Sequence, residues 1–294
     1  MDKPVFIHAG AHRTGTSSFQ MCLDLNRAGL QAAGFDLAYP GRDGIPGGTL
    51  RLKLPGPGEA RSEQMVARAT RTLATHSTDP ARALLLSEEN IPGRMFHFYK
   101  GRFYPAAEAR LKVLKAALQA LGMARPTRVL LVLRPYDALF TSAYRKRAED
   151  NPVPPFATLV PHFIGMDRGW PALVRAFKTI LAPDELVVLD YAQRGSSTAL
   201  LHHLVPGLDV TLQEPARVMN LSATDAALKA LQARYHAGET LERAAWQEVI
   251  AAHQNQRDPS GFAAFGAEES GVLSARYEEH LNKIAKIRGI TFLR

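Results

Sequence analysis

The sequence predicts an α/β fold: a three-layer sandwich with a central parallel β-sheet and extra C-terminal helices. Three observations carry this. Short apolar runs alternate with amphipathic segments through residue 205. Those runs lack the in–out alternation of a half-exposed strand, so both faces are expected to be covered, as in a parallel sheet between helices. The chain has 294 residues, 46% hydrophobic and 22% charged. That is an ordinary globular composition with enough length for a core that needs no staples.

Val5–His8 reads as the first strand. Ser17–Ala33 reads as a helix, with Phe19, Leu23, Asn26 and Leu30 on one stripe and Gly34 as its stop. Ala83–Ser87 is the next clear strand, and Ala106–Leu121 a helix ending at Gly122. Arg128–Leu133 is a continuous apolar strand followed by a helix from about Tyr136 to Glu149, and Leu186–Asp190 is a further strand. Residues 40–58 hold six glycines and four prolines and form a long loop, either functional or a plain surface connection. Asn151–Pro155 is a second break. Helices are expected over Ala223–Tyr235, Leu241–Asn255 and Leu273–Ile287, capping the sheet. No linker divides the chain. One domain over residues 1–294 is expected, with an α/β core to residue 205 and a mostly helical part over 206–294 packed on it.

The single cysteine, Cys22, excludes an internal disulfide and favours a reducing compartment. A net charge of +8 suits anionic partners without choosing among them. No segment reads as a targeting signal or as a membrane span, so a soluble, cytoplasmic protein is expected. No helix-turn-helix, zinc or aromatic-basic strand pattern points to nucleic acid. The histidines show no metal-ligand spacing: His202 and His203 are adjacent and point apart on a helix.

The chemistry concentrates in His8-Ala9-Gly10-Ala11-His12-Arg13-Thr14-Gly15-Thr16-Ser17-Ser18, between a strand and a helix. Glycines let successive amides converge on one anion, and a helix N-terminus adds its dipole. Thr14, Thr16, Ser17 and Ser18 offer hydroxyls, and a sheet of the P-loop type is expected around such a turn. Gly10 and Gly15 have the spacing of a nucleotide-triphosphate loop, but Thr16 stands where that loop's lysine would reach the β- and γ-phosphates. The cation has moved into the loop as Arg13, which argues against an ordinary kinase. A tight strand–helix turn with incidental hydroxyls is the weaker reading.

This segment resembles the 5′-phosphosulfate loop of the sulfotransferases that use 3′-phosphoadenosine 5′-phosphosulfate. Bacterial members often show His-x-Gly-x-x-Lys-Thr-Gly-Thr-Thr-Ser, then an apolar residue and Gln. His8, Gly10, Thr14, Gly15, Thr16, Ser18, Phe19 and Gln20 fit, Ser17 is a mild change, and Arg13 replaces the usual lysine. A second family signature, a strand-end arginine with a serine eight residues on, is matched by Arg134 and Ser142. A guanidinium and a hydroxyl so placed can clasp a 3′-phosphate. Pro135 lies one residue earlier than in the commonest form, and the family's C-terminal Arg-Lys-Gly element is not recognisable.

The resemblance implies a sulfuryl transfer that needs no metal, with 3′-phosphoadenosine 5′-phosphate as product. Gly10, His12, Arg13, Thr14, Gly15, Thr16, Ser17, Ser18, Arg134 and Ser142 would bind the nucleotide, and Arg13 would neutralise the leaving oxygen. Several branches use a glutamate as general base, and bacterial members often show Ser-x-Glu at such a strand end. In Ser87-Glu88-Glu89 that makes Glu89 the candidate and Glu88 the alternative, beside a plain acidic cap. His12 and His97 are further candidates; bound phosphate would raise the pKa of His12. The stretch Arg94–Lys100 mixes aromatic and basic residues and suits a sugar or an acidic acceptor, or is an ordinary amphipathic turn. The acceptor, glycan or small molecule, is left open. A P-loop kinase and an inactive nucleotide-binding relative are the alternatives.

Overall fold

The computed structural model describes residues 3–42, 44–216, 223–257 and 259–294. Its elements are β1 (Val5–His8), α1 (Thr16–Leu25), α2 (Arg27–Ala32), β2 (Phe35–Ala38), α3 (Glu63–Ala74), β3 (Ala83–Ser87), α4 (Ala107–Ala120), β4 (Arg128–Leu133), α5 (Tyr136–Ala148), α6 (Phe156–Ile164), α7 (Trp170–Ala176), β5 (Glu185–Asp190), α8 (Ser197–Leu204), α9 (Asp225–His236), α10 (Arg243–Ala252), α11 (Ala267–Ala285) and β6 (Thr291–Leu293). The strands form one parallel sheet in the order β2-β3-β1-β4-β5-β6.

Each central strand is buried on both faces, as its unbroken apolar run requires. Along β4, Val129, Leu131 and Leu133 join the larger core, while Leu130 and Val132 join the smaller one on the opposite face. This is the two-residue period of a strand read from both sides. The larger core is closed by α3–α7, α9 and α11, and the smaller by α1, α2 and α8.

Several elements differ from the sequence expectation. The expected helix over Ser17–Ala33 is broken at Asn26, whose side chain donates to the Cys22 carbonyl (2.8 Å) and to the Gln213 carbonyl (2.8 Å). Its Oδ1 accepts from the Gln213 amide (2.7 Å), so the side chain competes with the helix backbone and pins a distant loop. β2 and α3 fill part of the stretch between α2 and β3, where no element was expected. The mostly helical part after residue 206 also supplies a strand: β6 pairs with β5 and extends the sheet.

The order places β1 between β3 and β4. Loops leaving the carboxyl ends of β1, β3, β4 and β5 therefore meet at one edge, where open α/β sheets bind ligands. No helix among the described residues is long and apolar enough to cross a membrane.

Candidate functional site

The turn after β1 is shaped by its backbone. Gly10 (φ 84°) and Gly15 (φ 89°) occupy the left-handed region that glycine adopts without penalty. A Cβ on Gly10 would lie 3.1 Å from the Glu89 Cα, so the turn presses directly on the end of β3. Arg13 is left-handed as well (φ 60°), an uncommon conformation for a residue with a side chain. The hydroxyls of Thr14 and Thr16 both donate to the Ala11 carbonyl, at 2.6 and 3.2 Å. They brace the loop instead of offering donors outward. Gly15 caps α1, whose first-turn amides have no partner within the helix.

His12, Arg13, Gly15, Thr16, Ser17, Ser18, Glu89, Arg134 and Ser142 line one cavity of about 550 Å³. Gly10, Thr14 and Glu88 do not line it. The two sequence motifs meet here: Arg13 Nε donates to Ser142 Oγ at 2.8 Å, and the Arg134 guanidinium donates to the Arg13 carbonyl. Arg13 thus reaches toward the second motif, not toward the Ser17 end of its own loop. Arg134 lies over the Tyr191 ring (5.0 Å), and its backbone carbonyl accepts from the Trp170 indole (3.0 Å). Its Nε is buried with no hydrogen-bond partner among the described residues. Burial holds the pKa values of Arg13 and Arg134 below the usual arginine range, yet both remain cations.

Several wall residues lie outside the two motifs. Arg42, from the glycine–proline loop, donates to Ser17 Oγ (2.7 Å) and pairs with Glu89 (2.6 Å). Arg194, after β5, donates to the Thr14 carbonyl (2.8 Å) and clamps the loop from outside. Lys146, Arg243 and Trp246 close the far wall, with Lys146 5.6 Å from the centre of the indole. Lys146 belongs to the basic Arg145–Arg147 run, but Arg145 turns away to an ion pair with Asp225. The wall carries six Arg and Lys side chains against the two carboxylates Glu89 and Asp150, a strongly anion-attracting balance.

The two glutamates differ sharply. Burial would raise the Glu89 pKa, but the Arg42 guanidinium outweighs it and holds the carboxyl below its usual range. Gln20 also donates to it, at 3.1 Å. Glu88 is buried, and desolvation, then the charge of Glu89, push its pKa up. Its Oε1 accepts from the amide and the side chain of Asn90, both at 2.8 Å. His97 sits outside this cavity, in the turn Met95–Lys100. Among the described residues no group of three or more His, Cys, Asp or Glu could hold a metal ion.

Two histidines are buried as neutral rings. His8 bonds Ser87 Oγ at 3.0 Å, and burial, aided by Arg194, depresses its pKa to about 3. His12 lies between Asn90 (3.3 Å) and Tyr104 (3.4 Å), and without a bound anion burial depresses it to about 4. A histidine depressed on folding contributes stability that is full above its unfolded value near 6.5 and is lost as pH falls toward the folded value. Glu88 acts in the opposite sense, so the informative quantity is a difference between variants. His8→Asn keeps a polar partner for Ser87 and removes the titration. Urea denaturation should show wild type losing about 2–3 kcal/mol relative to His8→Asn between pH 6.5 and 4.5. Parallel pH profiles would mean that His8 is not held neutral.

Comparison with known proteins adds no relative: no family model, no curated protein and no solved structure matches the chain.

Proposed function

We propose that this chain is a sulfotransferase with a P-loop-type phosphate turn, moving a sulfuryl group from 3′-phosphoadenosine 5′-phosphosulfate to a hydroxyl or amine. One observation carries the reading. Two anion-directed motifs, resembling the family's pair and 129 residues apart, are joined by the Arg13 Nε–Ser142 Oγ bond inside one cation-rich cavity. Two separated anion sites suit a nucleotide with phosphate on both its 3′ and 5′ positions better than a triphosphate chain.

The residues divide the work by position. The first-turn amides of α1, with Ser17, Ser18 and Arg42, would hold the 5′ end. Arg134 and Ser142, steadied by Arg13, would hold the 3′-phosphate through charge-assisted bonds. The donor supplies a labile bond between sulfur and the 5′-phosphate oxygen. As it breaks, its electron pair stays on the phosphate, the acceptor heteroatom bonds to sulfur, and the acceptor's proton passes to Glu89. Preorganised donors stabilise the charge growing on the leaving oxygen, the main source of catalysis in such transfers. A phosphosulfate has no β,γ-phosphate pair for a metal to bridge, so the reaction is expected to run without one.

The test is transfer from a labelled phosphosulfate donor to a panel of hydroxyl and amine acceptors, with and without EDTA. Label transfer unchanged by the chelator is expected. Magnesium-dependent transfer of the γ-phosphate of ATP, with no movement of sulfur, would establish the kinase alternative. Tight nucleotide binding with no turnover on any acceptor would mark an inactive relative.

A further inference from the structure

The cavity described above does not end at His12. A second space of about 260 Å³ shares His12, Met95, Lys146 and Asp150 with it. A third, of about 600 Å³, shares Asn90, Arg94 and Phe96 with the second. Sharing these walls, the three spaces adjoin in order as a trench, from the one that holds Glu89, past His12, to the one lined by residues of the Leu52–Glu59 loop and of the turn Met95–Lys100.

The trench beyond His12 is mostly cationic, with Asp150 and Glu59 as its acidic side chains. Lys53, Arg68, Arg94 and Arg147 line it, and among the described residues none of them is in an ion pair. Arg110 lies in its wall, 6% exposed, donating to the carbonyls of Leu54, Pro55, Asn90 and Ile91 and to no carboxylate. The charge of this buried guanidinium is therefore uncompensated by any carboxylate bonded to it. Glu59 is turned back onto the Gly56 amide at 2.7 Å. Beside these cations stands an aromatic surface: Phe96, a large apolar side chain left 37% exposed, with its ring 3.9 Å from that of His97.

We propose that this trench is the acceptor groove and that the acceptor is an acidic oligosaccharide, a chain of sugar rings carrying carboxylates. The proposal rests on the sulfuryl-transfer reading and names the substrate class for it. The unpaired arginines and lysine take the carboxylates. The negative face of the Phe96 ring takes the electropositive C–H face of a sugar ring. The series of three spaces suits a chain over a single small molecule, with one hydroxyl brought to Glu89 at the inner end. No β-strand lines the outer two spaces, so the usual edge-strand mode of holding an extended peptide is absent there.

Isothermal titration of the full chain, held saturated with 3′-phosphoadenosine 5′-phosphate, tests this. The probes are a hexuronic-acid tetrasaccharide, a neutral tetrasaccharide, a polyglutamate peptide and a short oligothymidylate. The hexuronate alone is expected to bind tightly. Arg68→Gln with Arg94→Gln should weaken it about tenfold or more, two exposed charged contacts being lost. Phe96→Ala should weaken it about threefold to tenfold through the lost ring face. None of these exposed side chains lines the nucleotide cavity, so nucleotide affinity should be unchanged in every variant, which also reports that each is folded. Hexuronate binding that is absent, or equal in wild type and variants, overturns the proposal. So does equal or tighter binding of the peptide, the oligonucleotide or the neutral sugar. The nucleotide titration is a separate arm. Its failure, with hexuronate still held by Arg68, Arg94 and Phe96, would remove the sulfuryl-transfer reading and leave the saccharide groove standing.

Discussion

Glu89→Gln is expected to lower kcat by roughly 10²–10⁴, the range for loss of a general base, while leaving nucleotide affinity undiminished. Glu89 is the glutamate of the Glu88–Glu89 pair that reaches the cavity wall. Arg42 keeps it ionised, so it can accept a proton over the whole neutral range. The same ion pair makes it a weaker base than a free carboxylate, and the transfer must draw on proximity as well as basicity. Glutamine is nearly isosteric and can still accept from Arg42 and Gln20, so the fold should lose only about 1–3 kcal/mol. Removing a negative charge from an anion site cannot weaken a phosphate ligand by Coulomb interaction, so bisphosphate binding should hold or tighten. Glu88→Gln is the control. Glu88 is already pushed toward its neutral form by burial and lies off the cavity, so this variant should retain its rate within a few-fold. Normal turnover in Glu89→Gln would move the base to His12, the histidine on that wall.

The central strands were legible because they are buried on both faces and so appear as unbroken apolar runs. β2 was not: Asp36 interrupts it, and its charge is tolerated because Lys3 (2.8 Å) and Arg82 (3.0 Å) pair with it. Nothing in Phe35-Asp36-Leu37-Ala38 announces partners that lie far away along the chain. β6 is three residues long and is defined by its pairing to β5, a long-range contact that no local pattern encodes. The break at Asn26 is a similar case, because Gln213 stabilises it from across the molecule.

The site was legible in its residue types and less so in its wiring. Glycine spacing located the turn, and the Arg134–Ser142 spacing located the second motif. The sequence could not tell that Thr14 and Thr16 face inward to Ala11, since a hydroxyl reads the same whether it braces a loop or offers a donor. Nor could it tell that Arg13 turns to Ser142, leaving the Ser17 end to Arg42. Arg42 sits in a glycine–proline loop with no periodicity, and Arg194 acts through backbone carbonyls. Both are recognisable only once the loops have met at the sheet edge.

The most direct test of the account is the affinity of 3′-phosphoadenosine 5′-phosphate for wild type and for Arg134→Ala, by calorimetry in the presence of EDTA. The Arg134 guanidinium is held by the Tyr191 ring and the Arg13 carbonyl before any ligand arrives, and its buried Nε has no partner among the described residues. Little ordering cost therefore remains to be met on binding. A charged hydrogen bond contributes about 1.5–3 kcal/mol, so the alanine variant should bind roughly ten- to a hundredfold more weakly. Arg134→Lys should recover only part of this, because a point charge cannot reproduce a planar two-donor grip. Adenosine 5′-phosphate, lacking the 3′ group, should bind weakly to wild type and nearly equally to all three proteins. That pattern, unaffected by the chelator, is the predicted result. Equal affinity of wild type and Arg134→Ala for the bisphosphate, or tight binding of ATP with magnesium and none of the bisphosphate, would contradict it.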